Sequence, residues 1–219
     1  MGEAEINGNT LLIHAHLVTY GHAADEAVTE QIRDEIETLW NEPQGMLFLK
    51  SSPLAVRFRI TAAYRSDLEE LEVYQNTDPR NNYFRIEEFV HGNISFVDGI
   101  GSNSGYFKLE NLYKGSTTAA HEFGHTLGLD HPDILDLRGR GLPGIMYPRG
   151  TLVDPHFQYD PLIQAGVTGG TMHPMHRKVL PSDIQQLRLH QLRFRNGRAV
   201  VGGFTNIYHW DHAEHPFVT

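Results

Sequence analysis

The sequence has no cysteine among its 219 residues. This absence excludes disulfides, thiol catalysis and thiolate metal ligands, so a tight metal site in this chain has to use His, Asp or Glu side chains. Long hydrophobic runs are also missing. Because no window approaches about 18 consecutive apolar residues, the sequence offers no candidate for a membrane-spanning helix.

Positive charge is scarce as well. The chain carries 18 Lys and Arg residues against 27 Asp and Glu residues, for a net charge of −9. No run of basic residues forms a stripe, which disfavours nucleic acid and anionic membranes as partners. A hydrophobic fraction of 40% is typical of a globular protein. The length suffices for one sizeable core, so we expect a single domain over residues 1–219.

The first half of the chain shows alternating strand and helix patterns. Residues 10–19 (TLLIHAHLVT) predict a strand with His14 and His16 on one face. A helix follows, with apolar residues at helical spacing from Val28 to Trp40 before Pro43 ends it. Further strands are predicted at 54–64, 83–89 and 94–97, with a turn at 76–82 and a glycine-rich loop at 98–105.

The second half predicts a helix, a long loop and a late helix. The helix begins with Ser116 or Thr117 as N-cap. Residues 149–180 are broken by glycine and proline without clear periodicity, which predicts an irregular loop. The stretch 181–192 (PSDIQQLRLHQL) predicts the late helix, and the ending HWDHAEHPFVT predicts a polar, mobile tail. Together these elements indicate an α+β protein.

One stretch, HEFGHTLGLDH at 121–131, contains a metal-ligand pattern. His121 and His125 stand four residues apart and therefore share one face of a helix. Gly128 allows the helix to end in a left-handed turn, after which His131 can supply a third ligand. Three protein ligands and an open fourth position define a catalytic zinc site.

Glu122 is the candidate general base of this site. It is rotated by about 100° from His121 around the helix, which is suitable for reaching a metal-bound water but not for binding the metal. A zinc ion can lower the pKa of its water to about 7. Glu122 would take the proton from that water and deliver it to the departing amine. The alternative is a coincidence in a chain with 14 histidines, but the apolar helix, the glycine break and the loop favour the metal site.

The pattern HExxHxxGxxH followed by a methionine resembles the metzincin clan of zinc metalloendopeptidases. HEFGHTLGLDH is similar to the matrixin and serralysin branches, and Met146 of GIMYP matches the methionine beneath the three imidazoles in that clan. Tyr147 and Pro148 follow the matrixin pattern, in which this tyrosine is not a metal ligand. Pro132 follows the serralysin pattern, so the subfamily stays open.

This resemblance implies a zinc-dependent endopeptidase that cleaves proteins or peptides, with one zinc on His121, His125 and His131 and with Glu122 as general base. It implies an upper lobe (about 1–131) with a twisted mixed sheet and two helices. The lower lobe (about 132–219) would be irregular with one C-terminal helix. The substrate would lie between the two lobes.

The resemblance also assigns substrate-binding residues and partners. Gly105, Tyr106 and Phe107 would form an edge strand that pairs with an extended peptide. Tyr147 and Pro148 would begin the pocket, extending to about residue 176, for the side chain just after the cut bond. We expect a monomer, with a protein inhibitor as a further partner of this class.

Localisation and two rival functions remain open on the sequence. We expect secretion or delivery outside the producing cell. Because the N-terminal MGEAEINGNT lacks the regions of a signal peptide, this localisation requires a leader that has been removed or a longer precursor. One rival function is a toxin-like protease domain released from a larger polypeptide. The other is an inactive zinc-containing module that binds protein, which the presence of Glu122 disfavours.

Weaker candidates have simpler explanations. Asp98 and the carbonyls of loop 98–105 could hold calcium, but one carboxylate is little support for that ion, and an ordinary turn is favoured. Pairs or triplets of histidines elsewhere are expected to lie on the surface, in a solvated tail or against the sheet. These are His14 and His16, His173 and His176, and His209, His212 and His215, the last three with Asp211 and Glu214.

Overall fold

In the computed structural model, which describes residues 1–49 and 52–212, eight strands form a mixed sheet. The strands are β1 (Gly2–Asn7), β2 (Thr10–Tyr20), β3 (Met46–Leu49), β4 (Ser52–Tyr64), β5 (Asn81–Glu87), β6 (Phe96–Val97), β7 (Ser104–Lys108) and β8 (Arg198–Val201).

The order of the main path is β3-β4-β2-β5-β7-β6, and β1 pairs with both β2 and β8. Strands β4, β2, β5 and β7 run parallel, whereas β3, β6, β1 and β8 pair antiparallel with their neighbours. The short strand β6 therefore lies outside β7 at one end of the path.

The helices of the described residues are α1 (Glu26–Asn41), α2 (Glu70–Tyr74), α3 (Thr118–Thr126) and α4 (Pro181–Gln186). Short 3-10 turns occur at His91–Asn93, Leu109–Leu112, Pro155–Phe157, Pro174–His176 and Leu189–Gln191. Asp25 caps α1, because its side chain accepts a hydrogen bond of 2.7 Å from the backbone N–H of Val28.

The apolar faces of sheet and helices meet in one core. In β2, Leu11 and Ile13 are fully buried, while His14 and His16 lie half-buried on the opposite face, as the period of two predicts. Helix α1 buries Trp40, whose indole N–H donates to the Ala120 carbonyl at 3.0 Å and so joins α1 to α3. This core positions α3 against α1 at the end of the sheet.

The predicted α+β class and mixed sheet are confirmed, but the lobes differ from the prediction. Three α-helices, not two, lie within the described part of residues 1–131, although α2 has only 5 residues. Strand β8 returns from the second half of the chain into the sheet, and Ile145, Val179 and Ile184 pack in the same core cluster as the strands. The boundary at about residue 131 therefore does not separate two packing units.

The late helix and the tail also differ. Helix α4 ends at Gln186 rather than near 192, and a 3-10 turn follows. Residues 203–212 pack along β7 rather than extending into solvent, since the backbone N–H groups of Thr205 and Asn206 both donate to the Asn103 side chain at 2.9 Å. His215 and Glu214 lie outside the described residues. Within residues 1–49 and 52–212 no helix is long and apolar enough to cross a membrane.

Candidate metal centre and cleft

Helix α3 presents two of the three histidines. His121 and His125 stand one turn apart on α3 and are nearly buried, with 6% and 8% of their surface exposed. Gly128 adopts a φ of 99°, a left-handed conformation that a side chain would disfavour. The chain reverses at this residue and returns His131 to the same point, as the sequence predicted.

The three imidazoles converge through their Nε2 atoms. The Nε2 of His131 lies 3.1 Å from that of His121 and 3.1 Å from that of His125. The Nδ1 of His121 lies 2.7 Å from the Ile145 carbonyl, and that of His125 lies 2.7 Å from the Leu129 carbonyl. Because a carbonyl only accepts, both Nδ1 atoms must carry the proton. The Nε2 atoms of His121 and His125 are therefore unprotonated, and their lone pairs face His131.

This arrangement fits a tetrahedral cation. At a zinc–nitrogen distance of roughly 2.0–2.1 Å, tetrahedral ligands stand about 3.3 Å apart, close to the observed separation. Burial lowers the pKa of all three histidines, most strongly that of His121, and so favours the neutral imidazoles that a metal requires. The three histidines form one of two groups of possible metal ligands among the described residues.

Met146 packs against the helix that carries two of these histidines. Its turn is closed by a hydrogen bond of 3.2 Å from the Tyr147 N–H to the Gly144 carbonyl. The Met146 side chain is buried and occupies the space next to Gly124 of α3, where a Cβ would overlap its sulfur. The same turn supplies the Ile145 carbonyl that orients His121. The turn therefore supports the helix and one ligand together.

Glu122 lies in the wall of the same site. It is 6% exposed and lines the cleft together with the three histidines, without a hydrogen bond to another described residue. Burial raises the pKa of Glu122 to about 8, while the positive charges of Arg177 and Arg149 act in the opposite direction. A carboxyl group with such a pKa can both take and return a proton near neutral pH.

A cleft of about 440 Å³ opens over these residues. The face of α3 with Thr118, His121, Glu122 and His125 forms one wall. The other side is formed by residues 94–97 and 99–100, which include β6, and by Asn111, Asp130, His131, Pro148, Arg149 and Arg177. We call this space the cleft.

The loop after β6 is tied to the metal helix. The Gly101 N–H donates to the His125 carbonyl at 2.7 Å, across the C-terminus of α3. The same carbonyl, at the end of the helix, also accepts from the Gly128 N–H at 3.0 Å. The bond from Gly101 fixes the position of β6 next to the three histidines.

The prediction that 105–107 is an edge strand is wrong. Strand β7 has β5 on one side and β6 on the other, with Val97 opposite Gly105 and Phe96 opposite Tyr106. Tyr106 and Phe107 are completely buried. Gly105 is required because a Cβ there would overlap the Phe96 carbonyl. The exposed edge beside the cleft therefore belongs to β6 rather than to β7.

The structure separates the two other predicted substrate residues. Pro148 lines the cleft. The Tyr147 side chain packs against a small cluster of Leu137, Val153, Phe157 and Met172 instead. That cluster gives the irregular segment 149–180 a core of its own. The same segment contributes Arg149 and Arg177 to the cleft.

Loop 98–105 is occupied by other contacts. The Asp98 carboxylate lies 2.9 Å from His209 Nε2, and both side chains are nearly buried. Neither of the two groups of possible metal ligands in the described residues includes Asp98. The ordinary-turn interpretation therefore agrees with the structure, and the calcium hypothesis has no support in it.

The remaining histidines of the described residues do not join the metal centre. His16 bonds to Thr61 on the sheet at 2.7 Å, and His173 packs its ring against Tyr159 at 4.4 Å. The expectation of a solvated tail is wrong for His209, which is 12% exposed, and for His212, whose ring centroid lies 4.1 Å from that of Tyr106 in a stacked arrangement. Asp211, between them, is exposed as expected.

The second group of possible metal ligands consists of His22, Glu87 and Asp211. The Glu87 carboxylate already pairs with Arg85 at 2.5 Å, and both of these side chains are buried. His22 and Asp211 are exposed side chains at the surface next to this ion pair. The proximity of the three side chains is therefore explained without a metal.

Three residues of the site were not predicted from the sequence. Arg177 is 3% exposed, yet lines the cleft near Glu122. Thr118 lies one turn before Glu122 on α3. Glu35 of α1 accepts a hydrogen bond of 3.2 Å from the Ala120 N–H and so caps α3. The sequence could have indicated Thr118, because it lies one helical turn before Glu122. It could not indicate Arg177 or Glu35, because their contacts join segments that are distant in the sequence.

Comparisons with known proteins add little. No protein-family model and no curated protein sequence matches this chain. Among solved structures, the archaemetzincin of Methanopyrus kandleri matches with a TM-score of 0.38 and 10% identity, over 81% of this chain and 95% of that one. This similarity is too weak to show a shared fold. The described residues thus define an α+β protein with a candidate three-histidine metal centre in an open cleft.

Proposed function

We propose that this chain is a zinc-dependent endopeptidase of metzincin type. The observation that carries the proposal is the convergence of three Nε2 atoms, with His131 Nε2 at 3.1 Å from each of the other two, in the wall of a cleft that also contains Glu122. A purely structural zinc site is closed by four protein ligands, whereas this one has three and faces open space. The matching of HEFGHTLGLDH and Met146 to the metzincin pattern supports the same class.

His121, His125 and His131 would hold the zinc. When bound, zinc supplies Lewis acidity for polarising a carbonyl and for lowering the pKa of water. The carbonyls of Ile145 and Leu129 keep His121 and His125 in the tautomer that such binding needs.

Glu122 would serve as general base and then as general acid. Its carboxylate accepts a proton from the attacking water and returns it to the amine that leaves when the peptide bond breaks. Burial favours the protonated form, and a nearby cation favours the charged form. These opposed influences place the carboxyl group where it can work in both directions.

The substrate would bind as an extended chain along β6. Asp98 donates its N–H to the Ser104 carbonyl at 3.0 Å, so by antiparallel alternation the N–H and C=O of Val97 point away from β7. Val97 also lines the cleft. A peptide can therefore pair with this edge directly beside Glu122.

Glu122→Gln tests the proposal. The substitution keeps the shape of the side chain but removes its ability to accept a proton, and Glu122 does not bind the metal. We expect unchanged zinc content and folding, continued binding of a substrate peptide, and cleavage reduced by at least about a hundredfold. A variant that cleaves at nearly the wild-type rate would disprove the role of Glu122. If the zinc-loaded wild type binds peptides but cleaves none from a mixed library, the chain is a binding module instead.

A further inference from the structure

We propose that the end of the cleft next to Glu122 is a carboxylate pocket, formed by Arg177, Arg149 and Thr118, that selects substrates with a carboxylate just after the cut bond. The carboxylate can be an Asp or Glu side chain or the free C-terminus of a short product-side segment. This inference rests on the proposed function, because it names the substrate class of that site.

Among the described residues, Arg177 is a buried cation without a hydrogen bond to a carboxylate. Its Nε donates to the Thr117 hydroxyl at 2.9 Å, and its two terminal nitrogens donate to the carbonyls of Tyr147 and Ser116 at 3.3 and 3.4 Å. These three partners use only part of the five N–H donors of a guanidinium. They fix its plane while leaving donors for a ligand in the cleft, which Arg177 lines.

The burial of this charge has a cost that the charges of Glu122 and Glu35 offset only in part. Charged groups are rarely buried unless they are paired. Desolvation lowers the pKa of Arg177 to about 10, which reflects that cost. A bidentate carboxylate is the partner that best matches a guanidinium in geometry and charge.

The nearest acidic side chains are committed elsewhere. Glu35 accepts from the Ala120 N–H and thereby caps α3. Glu122 is the proposed general base, and Asp130, at the other end of the metal-binding segment, accepts from the His131 N–H at 2.7 Å. Neither Glu35 nor Glu122 makes a direct ion pair with Arg177 or Arg149 in the part of the chain that the structure describes, although the charge of Arg177 acts on both carboxyl groups.

Two further residues make this end of the cleft a pocket for an anion. Arg149 also lines the cleft, and its terminal nitrogen donates to the Asn111 side chain at 2.7 Å, which holds the guanidinium in place. Thr118 is 5% exposed and lines the cleft, and its hydroxyl has no hydrogen-bond partner among the described residues. A buried hydroxyl without a partner is uncommon, and a ligand oxygen would satisfy it.

Charge and position agree with this selection. The chain as a whole has a net charge of −9, so two arginines at one end of a cleft are a local reversal of sign that attracts an anion. Thr118 precedes Glu122 by one helical turn, and Arg177 contacts the residues before α3. A carboxylate bound there lies within one or two residues of the bond that Glu122 would help to cleave.

The test compares peptide pairs that differ only in charge. In one arm, zinc-loaded wild type cleaves peptides with Asp or Glu after the cut bond and the same peptides with Asn or Gln. In a second arm, the short segment after the cut bond ends in a free carboxylate or in an amide. We expect the charged member of at least one pair to be cleaved at least about tenfold faster in kcat/KM. The arm that responds identifies the source of the carboxylate.

Variants assign the preference to the pocket. Arg149→Gln and Thr118→Val should each reduce the preference several-fold, while Arg59→Gln, an exposed arginine outside the cleft, should not change it. Arg177→Lys keeps the charge and should lose part of the preference with the bidentate geometry. Since Arg177 also ties three segments together, Arg149→Gln and Thr118→Val decide the outcome if the Arg177 variant fails to fold.

A binding measurement separates this inference from the proposed function. Calorimetry with zinc-loaded Glu122→Gln compares the same charged and neutral peptides without cleavage. If the wild type cuts nothing but binding favours the charged peptide through Arg149, the pocket stands and the peptidase proposal falls. If the wild type cleaves both members of each pair equally and binding shows no difference, the peptidase proposal stands and the carboxylate pocket is overturned.

Discussion

The sulfur of Met146 fills the space that a side chain at Gly124 would need. Gly124 lies between the two ligands of α3, at the point where this helix crosses the turn that carries Ile145 and Met146. The close approach lets the Ile145 carbonyl reach His121 at 2.7 Å. Residue 124, which the metal-binding pattern leaves unspecified, is therefore restricted in this protein by packing.

Gly124→Ala should destabilise the protein. On an open helix this change stabilises by up to about 1 kcal/mol. Here the new methyl group overlaps the Met146 sulfur and makes a tight contact with Trp40, and overpacking typically costs about 1–3 kcal/mol. Urea unfolding of the metal-free protein measures the difference.

Met146→Ala alone should cost about 2–5 kcal/mol through the cavity it leaves. The double variant should lose less than the sum, because the methyl group enters that cavity; strict additivity would contradict the contact.

Zinc should bind with a stoichiometry of one ion per chain. Replacement of His121, His125 or His131 by Ala should each remove the ion, because two neutral nitrogens do not complete the site. His176→Ala is a matched control, since His176 lies outside the cleft in a 3-10 turn. Elemental analysis after dialysis measures the content. Retention of zinc by two or more of the ligand variants would disprove the assignment, as would loss of zinc in the control alone.

The site was largely predictable from the sequence, and much of its surroundings was not. Local spacing placed His121, His125 and Gly128, because helix geometry alone determines which residues share a face. The edge position of β6 was missed, since strand order depends on pairings between distant residues such as Phe96 and Tyr106. Arg177 was missed for the same reason, because its hydrogen-bond partner Thr117 lies 60 residues away in the sequence.

The other elements that were not predicted correctly have only weak signals in the local sequence. Strands β1, β3 and β8 have 6, 4 and 4 residues and become stable only by pairing with longer neighbours. The tail HWDHAEHPFVT looks mobile by its polarity, but the His209 N–H donates to the Tyr20 hydroxyl. The N–H groups of Thr205 and Ile207, just before it, donate to the side chains of Asn103 and Ser104. Polar residues are solvent-exposed only where no hydrogen-bond partner within the protein is available to them. The sequence does not reveal such partners.

The stability of the metal-free protein should depend on pH through Glu122. Its pKa is about 8 in the folded protein and about 4.5 when unfolded, so the folded state binds more protons between these values. The free energy of unfolding should therefore fall as pH rises from about 4.5 to 8. Glu122→Gln has no proton to lose, so it should become the more stable protein above pH 7, by an amount on the order of a few kcal/mol.

The histidines contribute the opposite slope at lower pH. Because burial lowers the pKa of His121 below 6.5, the unfolded chain binds more protons there, and stability should fall as pH drops below about 6.5. This contribution is common to both proteins, so the difference between them isolates Glu122. Urea unfolding in a chelator at pH 5, 6, 7 and 8 measures it. Parallel profiles for wild type and Glu122→Gln would show that burial does not raise the pKa of Glu122.

Val97→Pro should weaken substrate binding at the β6 edge. Proline removes the one N–H that Val97 directs toward the cleft, while the bonds between β6 and β7 use the neighbouring residues. Val97→Ala is the matched control, because it shortens the side chain and keeps the N–H. A hydrogen bond of about 1 kcal/mol corresponds to roughly a fivefold change. We therefore expect kcat/KM to fall at least about fivefold further in Val97→Pro than in Val97→Ala, with similar melting temperatures. Equal activities of the two variants would mean that the peptide does not pair with β6, whereas a large loss of melting temperature in the proline variant alone would show that Val97 donates within the sheet.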